Sequence, residues 1–232
     1  MGGGLATTSL CLKGKDMIQY KMTPSEYFKK IIELYHQSRE PEYYNPNIKR
    51  GRSSSISSRL EDLTALFIAL NNPNNCKYYT DQPIKFEGST YKYPDIVIQE
   101  ESLEIKNLID VKTDIGWNRE GMFAFCSEWE NRIEKIKGTK TEFRQGSNKE
   151  LIEGLFSKKL KYHILVISKI NSGKTIELDY KKVISRMKNV SLYILSDEIH
   201  PNNYELSIQE TLMKIKINEP EIERLLFAII KD

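Results

Sequence analysis

Tyr93-Pro94-Asp95-Ile96-Val97-Ile98-Gln99-Glu100-Glu101-Ser102-Leu103-Glu104-Ile105-Lys106-Asn107-Leu108-Ile109-Asp110-Val111-Lys112-Thr113 is the stretch on which the fold turns. β-branched and apolar residues flank a polar centre, Gln99–Glu104, so it reads as two strands joined by a turn. Opposed residues of an antiparallel pair have a constant sum of residue numbers. Placing Asp95 opposite Asp110 makes that sum 205 and centres the turn between Ser102 and Leu103. The register that pairs the two aspartates is therefore the one the turn already favours. A competing register sets Asp95 opposite Glu104, with Lys106 in the place of Lys112. It centres the turn between Gln99 and Glu100 and cuts the first strand short, so Asp110 and Lys112 are preferred.

The period of two then sorts the side chains. Ile96, Ile98, Ile105, Ile109 and Val111 share one face, expected to be the core. Asp95, Asp110 and Lys112 share the other, so two carboxylates and an ammonium converge at one end of a rigid hairpin. Adjacent carboxylates repel each other and favour a hard divalent cation such as Mg²⁺. The Val111 carbonyl, between them in sequence, offers a third oxygen. Such a cation neutralises charge on a phosphodiester and acidifies a bound water. Lys112 would orient that water or stabilise the transition state. The expected chemistry is metal-assisted phosphodiester hydrolysis, with Asp95, Asp110 and Lys112 catalytic and Asp95, Asp110 and Val111 holding the metal.

Outward from the hairpin, helical signals dominate the N-terminal side. Thr23-Pro24-Ser25-Glu26 is a capping box with Pro at the first helical position, and the helix runs to about Gln37. Arg59–Leu70 is a second helix, capped by Ser57 or Ser58, and Cys76–Tyr93 reads as a strand, a turn at Glu87-Gly88-Ser89 and a return. On the C-terminal side, Phe123–Ile136 and Leu178–Val190 suggest helices. Glu150–Phe156 suggests a short helix, Tyr162–Ile167 and Leu192–Leu195 strands, and Leu206–Ile215 and Glu219–Ile230 two closing helices. Helices around a central hairpin and further strands give a mixed α/β fold. Residues 1–20 read as a flexible leader, and residues 21–232 as one domain.

Composition narrows the class. The 35 Lys+Arg nearly balance 32 Asp+Glu, and 39% of residues are hydrophobic, which excludes a disordered polyelectrolyte. Three scattered cysteines fit neither a disulfide framework nor a CxxC knuckle, so a reducing cytoplasm is expected. No apolar run approaches the ~20 residues that cross a bilayer, so no membrane association is expected. Ser172-Gly173-Lys174-Thr175 imitates the tail of a phosphate-binding loop, but Ser168 stands where that pattern needs glycine.

Pro94-Asp95, a gap of fourteen residues, and Asp110-Val111-Lys112 together resemble the PD-(D/E)xK nuclease motif. The string Ile109–Thr113, after Tyr93-Pro94-Asp95, looks most like the blunt-cutting branch of type II restriction endonucleases. The resemblance implies a restriction-endonuclease-like core, a central mixed sheet with a catalytic hairpin flanked by helices. It implies a Mg²⁺-dependent hydrolase, with Mn²⁺ or Ca²⁺ as substitutes, that cuts double-stranded DNA at a palindromic site as a homodimer. A cognate methyltransferase is expected in the same restriction-modification system, without a stable complex. A helical glutamate often assists the metal in that family; Glu61 matches this role, with Asp62 the adjacent alternative.

Four segments are expected to contact DNA: 45–58, 114–120, 135–149 and 169–174. In the first, Lys49, Arg50, Arg52 and Arg59 are the only charges from Asn47 to Arg59, and Ser53, Ser54 and Ser55 can donate to phosphate oxygens. Trp117, Asn118 and Arg119 follow the catalytic strand. Asn171, Ser172 and Lys174 offer donors for base readout, and Lys135–Lys149 is a further basic stretch. Two rival readings stay open: a repair, recombination or structure-specific nuclease of the same fold, and a non-catalytic DNA-binding domain.

Overall fold

The computed structural model describes residues 21–43, 45–86, 90–115, 121–146 and 149–231. Helices α1 (Pro24–Ser38) and α2 (Ser57–Asn71) lead into strands β1 (Cys76–Thr80), β2 (Ile84–Lys85), β3 (Tyr91–Lys92), β4 (Ile96–Glu100) and β5 (Glu104–Lys112). Then follow α3 (Met122–Ile136), β6 (Lys140–Arg144), β7 (Leu151–Val166), α4 (Ile176–Arg186), β8 (Val190–Ile194), β9 (Ser196–Asp197), α5 (Ile208–Lys214), β10 (Lys216–Ile217) and α6 (Glu219–Lys231).

The sheet is mixed. Its order is β1-β4-β5-β7-β6, and β8 joins the far half of β7. β5 and β8 run parallel to β7, whereas β1, β4 and β6 pair antiparallel. The β4–β5 hairpin has the expected register where it matters. Ile96 faces Ile109, Val97 faces Leu108 and Ile98 faces Asn107, a constant sum of 205. A bulge between Ile98 and Gln99 then brings Gln99 opposite Ile105. The turn closes with the Leu103 N–H on the Glu100 carbonyl at 3.0 Å. Glu104 and Lys106 thus lie toward the turn, away from Asp95, and the competing register is excluded.

Both faces of the sheet are covered, which corrects the single-core expectation. Ile96, Ile98, Ile109, Val111, Leu165 and Tyr193 pack under α1, α2 and α6. Val97, Leu108, Tyr162, Ile164, Val166 and Leu192 pack under α3 and α4. Ile105 lies in this second cluster because the bulge shifts it to the other face. A sheet buried on both sides reads as near-continuous apolar runs, as Tyr162–Ile167 does.

Two segments differ from expectation. Glu150–Phe156 is the start of β7, where Leu151, Glu153 and Leu155 are exposed and Gly154 and Phe156 buried. Leu151, Ile152, Leu155 and Phe156 imitate helical spacing because the inward place between Ile152 and Phe156 is held by glycine. A Cβ on Gly154 would come within 2.8 Å of Ile105 Cδ1. Lys135–Lys149 is no inserted loop. It holds the end of α3, a turn at Gly138 with φ +74°, and β6, whose Thr141 and Phe143 point inward between exposed charges. The α1 capping box forms as expected, with the Glu26 N–H on Thr23 Oγ1 at 3.2 Å. α2 starts without a side-chain cap: Ile56 holds the N-cap position, and Ser57 is already helical.

Candidate active site

Parallel β5 and β7 end together: Lys112 pairs with Val166, and the Ile167 N–H donates to the Lys112 carbonyl at 2.8 Å. β4 begins at Ile96, so its neighbour Asp95 meets the end of β5 at the same edge. Continuing the register sets Pro94 opposite Val111. Proline has no N–H, so the Val111 carbonyl receives no ladder bond from that position. The Val111 N–H finds another partner, Asp95 Oδ2, at 2.5 Å. The Asp95 carbonyl accepts the Asp81 N–H at 3.0 Å, which fixes this residue from the β1 side.

Lys112 Nζ lies 2.8 Å from Asp110 Oδ1 and 3.9 Å from Asp95 Oδ2. Asp110 is buried at 5% exposure, behind Asp95 and Lys112. Burial, and next the Asp110 charge, push the Asp95 carboxyl up to about 8, while Lys112 and the Val111 N–H pull it down. Two carboxylates are thus held close with a single ammonium between them. Tyr162, buried on the same face, has its phenol pushed well above its ordinary range, first by burial and then by the Asp110 and Asp95 charges.

A cavity of about 210 Å³ opens here, lined by Ser57, Leu60, Glu61, Asp95, Lys112 and Asp114 among others. Between the two acids of α2, Glu61 is the one that faces it. Asp62 is exposed and accepts the Thr80 hydroxyl at 2.7 Å. Burial, followed by the Asp81 and Asp62 charges, raises the Glu61 carboxyl. Among the described residues no three His, Cys, Asp or Glu side chains form a ready metal-binding group. The oxygens that fit a hard divalent cation are the Asp95 and Asp110 carboxylates and the Val111 carbonyl, with Glu61 across the cavity.

Comparison of the chain with family models, curated proteins and solved structures finds no match. The reading of the site therefore rests on its own geometry. Among the described residues no helix is long and apolar enough to cross a membrane.

The expected DNA-contacting residues divide by position. The arm 45–56 leads into α2, whose first residue, Ser57, lines the cavity. Lys49, Arg50 and Arg52 are exposed on that arm, and Arg59 donates to Gln37 at 3.2 Å. The serines turn back to the fold: Ser53 accepts from Asn202 and Tyr204, Ser54 bonds the Ser38 carbonyl, and Ser55 bonds Ser57. The 169–174 loop starts beside β5, since the Ser168 N–H donates to Thr113. Asn171 and Lys174 are exposed there. Ser172 is buried and donates to the Ser168 carbonyl at 2.9 Å, so its hydroxyl is directed away from solvent. Trp117, Asn118 and Arg119 lie outside the described residues.

Lys135–Lys149 sits at the opposite end of the sheet. Lys140 pairs with Leu155, and Leu155 with Glu104, eight positions along β5 from Lys112. At 3.3 Å per residue that is about 26 Å from the site. The basic composition of this stretch carried no information about which end of the sheet it occupies.

Two residues of this edge escaped the sequence reading. Asp114 lines the cavity, and the period of two from Lys112 points to it. His200 Nε2 lies 3.7 Å from Asp114 Oδ2, across 86 positions of chain and with no local sequence signal.

Proposed function

We propose that the chain is a divalent-metal-dependent DNA endonuclease of the PD-(D/E)xK kind, acting as a type II restriction enzyme on double-stranded DNA. The observation that carries this reading is the cluster of Asp95, Lys112 and, buried against Lys112, Asp110 at one sheet edge, where Asp95 and Lys112 line a cavity beside a Val111 carbonyl that the Pro94 position leaves without a ladder partner. Asp95, Asp110 and the Val111 carbonyl would hold the cation, with Glu61 assisting from α2. When bound, the cation supplies charge neutralisation at the scissile phosphate and an acidified water.

The remaining work belongs to side chains. Lys112, held by Asp110, presents a cationic donor to the phosphate and to the attacking water. Asp95, tied to the Val111 N–H, is fixed relative to β5 before substrate arrives. The exposed cations Lys49, Arg50 and Arg52 suit the phosphate backbone. A homodimer would bring one such site to each strand.

Digestion of plasmid or phage DNA with Mg²⁺, and again with a chelator, tests this. Discrete Mg²⁺-dependent bands are the expected result; intact DNA under both conditions would remove the reading. A smear, or cutting confined to branched DNA, would favour a structure-specific repair or recombination nuclease with the same chemistry. One observation favours that second reading, an exposed and immobilised aromatic ring at the DNA-facing edge.

A further inference from the structure

That ring is Tyr204. It is 61% exposed, yet held at two points. Its hydroxyl lies 3.1 Å from Ser53 Oγ, at the base of the basic arm. The Arg39 guanidinium covers one face, 4.5 Å from the ring centroid. Arg39 is itself fixed by Asn202 Oδ1 at 3.0 Å and the Asn203 carbonyl at 2.8 Å. The same loop reaches the candidate active site at its other end, where His200 meets Asp114. Tyr204 is four positions along the chain from His200, a span of at most about 14 Å. The ring therefore lies on the loop that joins the base of the arm, at Ser53, to Asp114 in the lining of the cavity.

Most exposed tyrosines keep their rotamer freedom. This one has already lost it, so a ligand that stacks on the open face incurs little ordering cost. A flat, π-faced ligand fits that face. The guanidinium behind the ring and the arm beside it suit one attached to a phosphate chain. The sequence neighbours Glu40, Glu42 and Glu205 are acidic, so charge alone does not account for the site; the aromatic face does. Bases inside an intact duplex are stacked on each other and present only their edges in the grooves. The base that can use this ring is one already out of the stack.

We propose that Tyr204 is a stacking platform for an unpaired nucleobase next to the scissile bond. The favoured substrate is then DNA with a single-stranded end, gap or displaced base at that point. This rests on the second, structure-specific form of the nuclease reading, with the same metal-dependent chemistry, and names its substrate class.

The test uses the full chain, Tyr204→Leu and Tyr204→Phe, with folding checked by circular dichroism. Each is titrated, without Mg²⁺, against a labelled duplex and the same duplex carrying a one-nucleotide bulge of 2-aminopurine. The parent chain should bind the bulged DNA about 5- to 150-fold more tightly than the paired one, the span of one base–aromatic stack, with quenching of the 2-aminopurine. Tyr204→Phe should keep the preference and the quenching, and Tyr204→Leu should lose both while binding the paired duplex unchanged. Binding of both DNAs by the parent chain without preference, or a preference surviving in Tyr204→Leu, overturns the platform and leaves the nuclease reading standing. Failure of the parent chain to bind either DNA overturns both.

Discussion

The Asp95 carboxylate accepts the backbone N–H of Val111 at 2.5 Å, in the place where the carbonyl of the residue opposite would have accepted it. One side chain thereby ends the β4–β5 ladder and fixes a candidate metal ligand. Pro94, opposite Val111, ends the other half of the same rung by lacking a donor. The Pro-Asp pair is thus a structural device as well as a sequence signature.

Holding Asp95 against Asp110 in a buried edge costs stability. In the metal-free folded chain Asp95 keeps its proton up to about pH 8, whereas an unfolded Asp loses it near 3.8. The folded state binds the extra proton across that window, so stability from this group falls as pH rises through it. Asp95→Asn removes the buried charge. In chelator at pH 8.5 it should melt at least about 2–4 °C above the parent, the shift that ~1 kcal/mol gives a chain of this size. At pH 4 the difference should shrink toward zero, since the parent Asp95 is then neutral when folded. Scanning calorimetry at the two pH values reads this, and an equal offset at both would contradict it.

His163 should act in the opposite sense. It is buried between Asn107 Oδ1 at 2.8 Å and the Tyr193 hydroxyl at 3.1 Å, and burial lowers its pKa to about 3. Between pH 6.5 and 3 the unfolded chain takes up a proton that the folded chain refuses, so stability falls as pH falls. His163→Gln retains an amide for these partners and should flatten that acid limb in urea unfolding series. Asp95 titrates in the reverse direction across the same range, so the limb is read most clearly in the Asp95→Asn background. An acid limb of unchanged slope in His163→Gln would contradict this.

The two ends of the sheet should behave differently toward DNA. Replacing Lys49, Arg50 and Arg52 by glutamine removes three exposed cations from the arm that leads to Ser57 of the cavity. Binding should weaken, and the slope of log K against log salt should fall by up to about 2.7, or about 0.9 for each phosphate no longer neutralised. The same change at Lys135, Lys140 and Lys149, about 26 Å away along β5, should leave the slope unaltered. Fluorescence anisotropy across a salt series distinguishes them; equal losses at both ends would show that DNA wraps the whole sheet.

Much of the site was legible because it is local. Asp95, Asp110 and Lys112 belong to one hairpin, and the sum rule with the period of two suffices to bring them together. The capping box at Thr23 and Glu26 is equally local. β6 was hidden because Lys140, Glu142 and Arg144 mask the inward Thr141 and Phe143, and the start of β7 because Gly154 fills an inward place with no side chain. The bulge that moves Ile105 has no composition signal. His200 and Tyr204 reach the edge only through long-range packing, which no window along the chain reveals.

The central claim is that Asp95, Asp110 and Lys112 form the catalytic centre of a metal-dependent DNA nuclease. The most direct test is the first-order rate of supercoiled plasmid cleavage at saturating Mg²⁺, compared between the parent chain and Lys112→Ala, with the fold of both verified. Lys112 is a cationic donor 2.8 Å from Asp110, so its loss should slow cleavage by about 10²–10⁴-fold while DNA binding persists. Cleavage by Lys112→Ala at the parent rate would contradict the account.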